Sequence, residues 1–267
     1  MKCENLLTAR SCNMPKFLCH IMIVFTVSIS FVMESSTFAR GESLVVGVMK
    51  DAKPGSWRNE KGELTGFSVD VARALCTSMS VTCSFNETNS MQELIDAVAN
   101  NRVDFVSASL LETPERSAKM LFTTPYFRSS SYLIARQGVS LSTPGLRVVV
   151  LKGAVQMNYI QSRLAGNQRM VLADTVTVIV NALEQGRADA SLLAMFQAIN
   201  ILSQPKLIEL GFTVTPIVAP ELTGDAKIGV TRTKPQLRDR LNEALKEIRS
   251  NGTLEKINSR HMPFRVL

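Results

Sequence analysis

Few residues in this sequence carry the side chains that most enzymes use for catalysis. The chain of 267 residues has two histidines, His20 in an apolar segment and His261 near the carboxyl terminus. It contains no Gly-x-Ser-x-Gly motif, no His-x-x-x-His pair and no cluster of Cys, His and Asp. Those patterns are typical of serine hydrolases and of metal sites. The sequence therefore predicts no catalytic residue, metal or cofactor, and we expect His261 on the surface of the last helix.

The sequence does contain a candidate ligand-binding residue, Arg116, at the end of the stretch Thr113-Pro114-Glu115-Arg116. A planar guanidinium can donate to both oxygens of a carboxylate, which suits the binding of an acid. The alternative is a surface arginine paired with Glu112 or Glu115. Thr113 can cap the short helix that Pro114 opens.

The first 39 residues have the layout of a secretory signal. A polar segment with scattered basic residues precedes the run FLCHIMIVFTVSISFVM, residues 17–33, and a small residue, Ala39, follows. The alternative is a retained membrane anchor, which needs about 20 apolar residues, whereas this run is interrupted by His20 and Ser28. We expect cleavage after Ala39 and export to the periplasm.

Export would leave two cysteines, Cys76 and Cys83, because Cys3, Cys12 and Cys19 all precede the expected cleavage point. The periplasm is oxidising, so two cysteines in an exported chain favour one disulfide. Two buried free thiols are the alternative.

Composition excludes one class of partner. The net charge of +7 comes from charges scattered along the chain, without a basic block interleaved with aromatic residues. Nucleic-acid binding is therefore not expected.

Strand and helix patterns alternate from Ser43 onward, in two series. The predicted strands of the first series are residues 43–49, 81–85 and 103–109, with helices at 67–79 and 91–101. The second series has strands at residues 146–153, 170–174 and 188–194, and a strand near 227–232 precedes a long final helix. Residues 129–136 read as one strand joining the two series. Repeated strand–helix units predict an α/β fold with parallel sheets covered by helices on both faces.

The order of several short motifs resembles that of the amino-acid-type periplasmic binding proteins of ABC importers. These motifs are GELTGFSVDVARALC, LIDAVANNRVDFVSASLLETPERSAKMLFTTPYF, LKGAVQ, GRADA and the ending NGTL before Ile257. Each motif is weak alone, but their order and spacing are specific and cover nearly all of residues 43–264. The spacing of Cys76 and Cys83 is similar to the short-loop disulfide of the histidine- and lysine/arginine/ornithine-binding proteins.

The resemblance implies a two-lobed periplasmic-binding-protein fold of type II, a Venus flytrap with two hinge strands. The first lobe would be residues 40–129 plus 227–267, and the second, inserted lobe residues 130–226. The implied function is delivery of a small carboxylate-bearing, amino-acid-like solute to a membrane-embedded ABC permease, by a monomer whose lobes close on the ligand.

The resemblance also implies ligand-binding positions. Arg116 would bind the carboxylate, and Ser109 would supply a hydroxyl. Trp57 is the sole tryptophan; it would either stack on the ligand or pack between the lobes.

Several positions depart from the family pattern. Leu111 replaces a serine, Ala154 and Val155 replace a hydroxyl, and Met91 stands where many relatives have an aromatic residue. The acid that would bind an α-ammonium group falls at Ala194. The departures favour an organic acid, an opine-like or modified amino acid, or a ligand that is apolar at one end. Alternatively, Asp174 or Glu184 would supply the missing charge.

Three other functions are compatible with these residues. They are a periplasmic enzyme similar to cyclohexadienyl dehydratase, a binding protein that reports to a membrane sensor, and a degraded binding protein without a ligand.

Overall fold

The computed structural model describes residues 41–263 and residue 265, so the predicted signal peptide, residues 1–39, lies outside the described residues. The strands are β1 Ser43–Met49, β2 Trp57–Arg58, β3 Leu64–Thr65, β4 Thr82–Thr88, β5 Phe105–Leu111, β6 Met120–Phe122, β7 Phe127–Ser129, β8 Ser131–Arg136, β9 Arg147–Leu151, β10 Arg169–Ala173, β11 Ala190–Ala194, β12 Phe212–Ile217 and β13 Gly224–Thr231. The helices are α1 Phe67–Ser78, α2 Met91–Ala99, α3 Pro114–Ser117, α4 Val155–Gln161, α5 Val176–Glu184, α6 Met195–Leu202, α7 Pro205–Glu209, α8 Pro235–Ser250 and α9 Thr253–His261. Within the described ranges no helix is both long enough and apolar enough to span a bilayer.

Two sheets, each covered by helices, form the two lobes. Sheet A has the strand order β4-β1-β5-β13-β6, with β7 also paired to β13, and sheet B has the order β10-β9-β11-β8-β12. The chain passes from sheet A to sheet B between β7 and β8, and returns between β12 and β13. The predicted α/β fold with two lobes is confirmed.

The expectation of parallel sheets was wrong for the strands that enter each lobe. β4, β1 and β5 are parallel, as are β10, β9 and β11, but β13 and β8 run antiparallel to their neighbours. A strand that arrives from the other lobe starts at the edge where the lobes meet and runs away from it. The parallel strands end at that same edge, so the directions are opposite.

Residues 129–136 were expected to form one strand, and the structure divides them at Ser130. β7 pairs with β13 in sheet A, whereas β8 pairs with β11 and β12 in sheet B. The carbonyl of Ser130 instead accepts a hydrogen bond from the backbone N–H of Met195 at 2.9 Å. A continuous strand could not belong to both sheets, so the break marks a connection between the lobes.

Alternation of side chains along the strands explains why both faces of each sheet are buried. In β1, Leu44, Val46 and Val48 belong to one apolar cluster, while Met49 belongs to another that contains residues of α2. In β9, Val149 and Val150 likewise fall in two different clusters. Successive residues of a strand point to opposite faces, so apolar residues in succession require a helix on each side.

The disulfide predicted between Cys76 and Cys83 is present. Cys76 lies on α1 and Cys83 on β4, with their Cα atoms 6.2 Å apart. The bond therefore ties the end of a helix to the strand that follows it.

Replacing Cys76 and Cys83 together with alanine should lower the free energy of unfolding by about 2–3 kcal/mol, the chain-entropy value for so short a loop. Urea unfolding of the oxidised wild type and of the double variant measures this difference. Reduced wild type should resemble the variant. A variant as stable as the oxidised protein would contradict the role of the disulfide.

His261 is not on the surface of the last helix, contrary to expectation. Its side chain is 6% exposed, and its Nε2 lies 2.8 Å from Asp70 Oδ2 on α1. The indole of Trp57 meets the imidazole ring edge-on, with 5.9 Å between ring centroids. Arg260 Nη1 also donates to Asp70 Oδ2 at 2.9 Å. The final turn of α9 is buried because α9 packs against α1. His261 therefore links the carboxyl-terminal helix to α1 in the first lobe.

Replacing Asp70 with asparagine should lower the free energy of unfolding at pH 7 by about 1–2 kcal/mol. The contact with His261, followed by that with Arg260, lowers the pKa of the Asp70 carboxyl below its ordinary value. A carboxyl with a lowered folded-state pKa stabilises the fold above its unfolded pKa of about 3.9, and that stabilisation is lost as the pH falls through both values.

Urea unfolding of wild type and Asp70→Asn from pH 7 to pH 3 tests this dependence. The difference should shrink below about pH 4. Asp239→Asn is the matched control, because this exposed carboxyl pairs with its neighbour Arg238 and with no other described residue, and it should change stability little at any pH. A difference between wild type and Asp70→Asn that grows on acidification would contradict the assignment.

Candidate functional site

A cavity of about 50 Å³ lies between the two lobes. The carboxyl ends of β5, β9 and β11 all contribute to it, through Leu111, Leu151 and Ala194. The remaining lining residues are Met91, Ala108, Ser109, Leu110, Arg116, Ser129, Ala154, Val155, Gln156, Leu193, Phe196 and Gln197. Ligands of α/β proteins commonly bind beyond the carboxyl ends of the strands. Both sheets present those ends to this one cavity, which makes it the candidate site.

Arg116 supplies the only charged side chain among the residues that line this cavity. The residue is 7% exposed, and its guanidinium is bound by two carbonyl oxygens. Nη1 donates to the carbonyl of Leu111 at 2.7 Å, and Nη2 donates across the cleft to the carbonyl of Gly153 at 3.1 Å. Burial lowers the pKa of Arg116 to about 10, partly offset by the charge of Glu115, so the group is positive at neutral pH.

The expected alternative for Arg116 was a surface ion pair, and the geometry does not place it in one. Glu112 pairs instead with Lys227, at 2.6 Å, and Glu115 is exposed. Thr113 caps α3 as predicted, since its Oγ1 accepts from the backbone N–H of Arg116 at 3.3 Å. The buried guanidinium therefore faces neutral carbonyl groups rather than a carboxylate.

Ser109 lies at an irregular point of sheet A. The ladder between β5 and β13 changes register between Lys227 and Gly229, and Ser109 adopts a left-handed backbone with φ of 56°. Its Oγ is buried without a hydrogen-bond partner among the described residues. Left-handed backbone at a residue other than glycine is uncommon and clusters at functional sites. Ser109 is one of the residues that line the cavity.

A second hydroxyl lies behind Ser109. Tyr126 is fully buried beside Ser109 and Ser107, and burial raises its pKa to about 12. Its oxygen also lacks a hydrogen bond of acceptable geometry among the described residues. The tyrosine is therefore neutral, and it adds polarity beside the cavity without adding charge.

The structure brings six of the seven predicted ligand-binding residues to this cavity. They are Arg116, Ser109, Leu111, Met91, Ala154 and Val155. Trp57 is not among the lining residues; it packs against His261, with Lys53 Nζ 5.8 Å from its ring centroid.

The two acids that could have replaced a charge at Ala194 are not at the cavity. Glu184 pairs with Lys206 on α7 at 3.1 Å, and Asp174 is exposed just after β10. Ala194 itself lines the cavity. No Asp or Glu is among the described residues that form the wall of this site.

The lobes meet closely around the cavity. Gly153, with φ of 77°, lies against the start of α2, where an added Cβ would be 2.7 Å from the backbone nitrogen of Gln92. The ring of Phe196, on α6, stacks on that of Phe127 with 5.0 Å between centroids and meets Phe67 edge-on at 5.1 Å. These contacts hold the two lobes together beside the cavity.

The family model of bacterial extracellular solute-binding proteins, family 3, matches residues 44–264. The chain belongs to this family.

Relatives of this solute-binding protein include the L-arginine-binding protein of Pseudomonas aeruginosa, which is 27% identical over 254 residues, covering 88% of this chain and 93% of that protein. The histidine-binding periplasmic protein of Escherichia coli is also 27% identical, over 255 residues, covering 91% of this chain and 98% of that protein. A solved structure of an ancestral arginine-binding protein bound to glutamine superposes with a TM-score of 0.74 at 23% identity, covering 83% of this chain and 98% of that one. An ancestral amino acid-binding protein described as a precursor of cyclohexadienyl dehydratase has a TM-score of 0.71 at 23% identity, covering 82% and 95% of the two chains.

Four polar or aromatic residues of this binding protein's cavity were not predicted from the sequence, namely Ser129, Gln156, Phe196 and Gln197. Gln156 follows Gly153 closely in the chain, and its Nε2 donates to Ser131 Oγ at 2.8 Å. Gln197 has a buried Oε1 without a hydrogen-bond partner among the described residues. Phe196 is 4% exposed. The end of strand β11 was the available signal, because residues just after a strand's carboxyl end often face the ligand.

Proposed function

We propose that this protein is the exported, ligand-carrying component of an ABC importer, and that it binds a small carboxylate-bearing, amino-acid-like solute between its lobes. One observation carries the proposal: a buried guanidinium lines an interlobe cavity in which no described residue supplies a carboxylate. A buried charge is costly unless it is paired, so a ligand carboxylate is the natural partner.

Ligand exchange would follow from a hinge motion. The two lobes that would move are those expected from the sequence. The first lobe is residues 40–129 plus 227–267, and the second lobe is residues 130–226. The connections between the sheets, at Ser130 and at residues 218–223, are where the backbone would change direction. A ligand that binds the closed form better than the open form shifts the equilibrium towards closure.

The proposed partners are the solute and a membrane-embedded ABC permease, with the protein acting as a periplasmic monomer after cleavage of residues 1–39. The relatives' names support a periplasmic transport role, since they include a histidine-binding periplasmic protein. Purification from the periplasm, followed by mass measurement of the intact chain, tests both export and the cleavage point.

We favour binding over catalysis for this cavity. Its described lining has no His, Cys, Asp, Glu, Lys or Tyr, and therefore no group of ordinary pKa for general acid or base catalysis. Arg116 remains protonated at neutral pH because its pKa is about 10.

A melting-temperature panel tests the proposed function. The panel contains amino acids, opines, organic acids and polyamines. A carboxylate-bearing compound should raise the melting temperature of the protein, whereas polyamines should leave it unchanged. At 100 times its dissociation constant a ligand adds about 2.7 kcal/mol, which corresponds to roughly 5–10 °C for a chain of this size. Stabilisation by a polyamine and by no acid would contradict the proposal.

A further inference from the structure

We infer that the solute is a monocarboxylate without a positively charged group, whose other polar groups are neutral hydrogen-bond donors. The inference rests on the proposed function, because it concerns the ligand of the same cavity. It would exclude free amino acids as the preferred solutes and favour acids in which the ammonium is acylated or replaced by a hydroxyl.

The charge balance of the cavity is the first support. Arg116 brings one positive charge into a cavity whose other described lining residues are all neutral. One ligand carboxylate would balance that charge. A zwitterion would add an ammonium without a carboxylate to receive it, close to a guanidinium that repels it, and such a group is strongly disfavoured away from water.

Acids outside the cavity do not supply the missing charge. A group of carboxylates lies in a neighbouring groove of about 700 Å³, which shares the wall residues Leu111 and Val155 with the cavity. Three of the four acidic residues in this groove already form ion pairs with basic side chains. The pairs are Lys227–Glu112 at 2.6 Å, Arg163–Glu221 at 2.9 Å and Arg128–Asp225 at 3.2 Å. The fourth, Glu115, is exposed.

The neutral polar atoms of the cavity show which groups the ligand should carry besides its carboxylate. Gln197 Oε1 is buried at the cavity and accepts no hydrogen bond from a described residue. Buried acceptors left unpaired are costly, so a ligand N–H or O–H should meet it. Ser109 Oγ lies beside the hydroxyl of Tyr126 and can donate to a carboxylate or accept from the same neutral donor.

The remaining wall is apolar and would enclose a small hydrocarbon side chain. Met91, Leu151, Leu193 and Phe196 are each at most 7% exposed, and all four line the cavity. An amide N–H or a hydroxyl beside the carboxylate, with an apolar side chain beyond it, matches this arrangement. N-acylated amino acids and 2-hydroxy acids share that chemistry.

Matched sets of compounds test the inference. The protein is purified from the periplasm, unfolded in guanidinium chloride to release bound solute and refolded without reductant. Thermal shift is then measured with apolar L-amino acids, their N-acetyl derivatives and the corresponding L-2-hydroxy acids, and calorimetry gives dissociation constants for the best triplet. We expect the N-acetyl or the hydroxy compound to bind at least about 100-fold more tightly than the corresponding amino acid. Comparing the N-acetyl compound with the hydroxy acid then shows which hydrogen-bond donor the site prefers.

Gln197→Glu provides a second measurement, because it places a carboxylate in the cavity without changing the size of the side chain. We expect the preference for the neutral-donor compound to fall at least about 10-fold in this variant. Circular dichroism and the melting temperature without ligand control for folding.

The outcomes separate the two proposals. A free amino acid as the tightest ligand of wild type, or an unchanged preference in Gln197→Glu, would overturn the inference and leave the proposed carrier function intact. If no carboxylate in any set raised the melting temperature, both the inference and the carboxylate anchor would be wrong.

Discussion

Replacing Arg116 with alanine should weaken ligand binding by about 2–5 kcal/mol, or roughly 30- to 5,000-fold, and is expected to have the largest effect of any single change in the cavity. The guanidinium is the only charge that the described lining supplies, and it is 7% exposed. Its loss would leave the ligand carboxylate buried with neutral partners alone. Calorimetry on wild type and variant, with the ligand found by the melting panel, measures the difference.

Arg116→Lys is the matched control, because it separates the effect of the positive charge from the effect of the guanidinium geometry. Lysine keeps the positive charge but lacks the planar fork, and it cannot bind a carboxylate through two parallel hydrogen bonds in the same way. We expect an intermediate affinity. Both variants should fold, because Arg116 lies at the cavity rather than in either apolar core, and circular dichroism checks this. Wild-type affinity in Arg116→Ala would place the anchor elsewhere.

Replacing Gly153 with alanine should prevent full closure and weaken ligand binding at least about 10-fold. An added Cβ would be 2.7 Å from the backbone nitrogen of Gln92 and 2.9 Å from its Cα, in the opposite lobe. Backbone atoms at the start of α2 cannot move aside as a flexible side chain can. The apparent affinity falls in proportion to the population of the closed form, so destabilising that form weakens binding without removing a ligand contact.

Gly211→Ala controls for the backbone conformation. Gly153 and Gly211 both have φ of 77°, but nothing lies within 4 Å of a Cβ added at Gly211. The two variants should therefore bear similar backbone strain, while only Gly153→Ala blocks the approach of the lobes. Small-angle scattering with saturating ligand should show compaction of wild type and Gly211→Ala and a larger radius of gyration for Gly153→Ala. Equal affinity and equal compaction in the two variants would contradict the closure mechanism.

The parts of the fold that the sequence predicted are those set by neighbouring residues. Ser90 and Glu93 have the spacing of a capping box, and Ser90 Oγ accepts from the backbone N–H of Glu93 at 3.1 Å. Glu93 Oε2 accepts in turn from the backbone N–H of Asn89 at 2.9 Å. Capping and apolar periodicity act within one or two turns, so they are legible without knowledge of the rest of the chain.

The parts that the sequence did not predict depend on contacts between distant segments. The antiparallel direction of β8 and β13, the break at Ser130 and the burial of His261 follow from how the lobes connect and from the packing of α9 on α1. Composition and periodicity carry no information about such contacts.

The candidate site divides in the same way. Arg116 belongs to an ordered motif, Thr-Pro-Glu-Arg, that a reader of the sequence can find. Gln197 belongs to none, and it matters only because two lobes enclose its Oε1. Trp57 was a candidate because it is the sole tryptophan and an aromatic ring can stack on a ligand. Its observed contacts are instead with His261 and Lys53.

A crystal structure of the refolded protein with the ligand from the melting panel tests the central claim most directly. We predict a closed cleft in which both carboxylate oxygens lie within hydrogen-bond distance of Arg116 Nη1 and Nη2, in place of the carbonyl contacts to Leu111 and Gly153. A ligand bound outside this cavity, or one whose carboxylate lies away from Arg116, would contradict it.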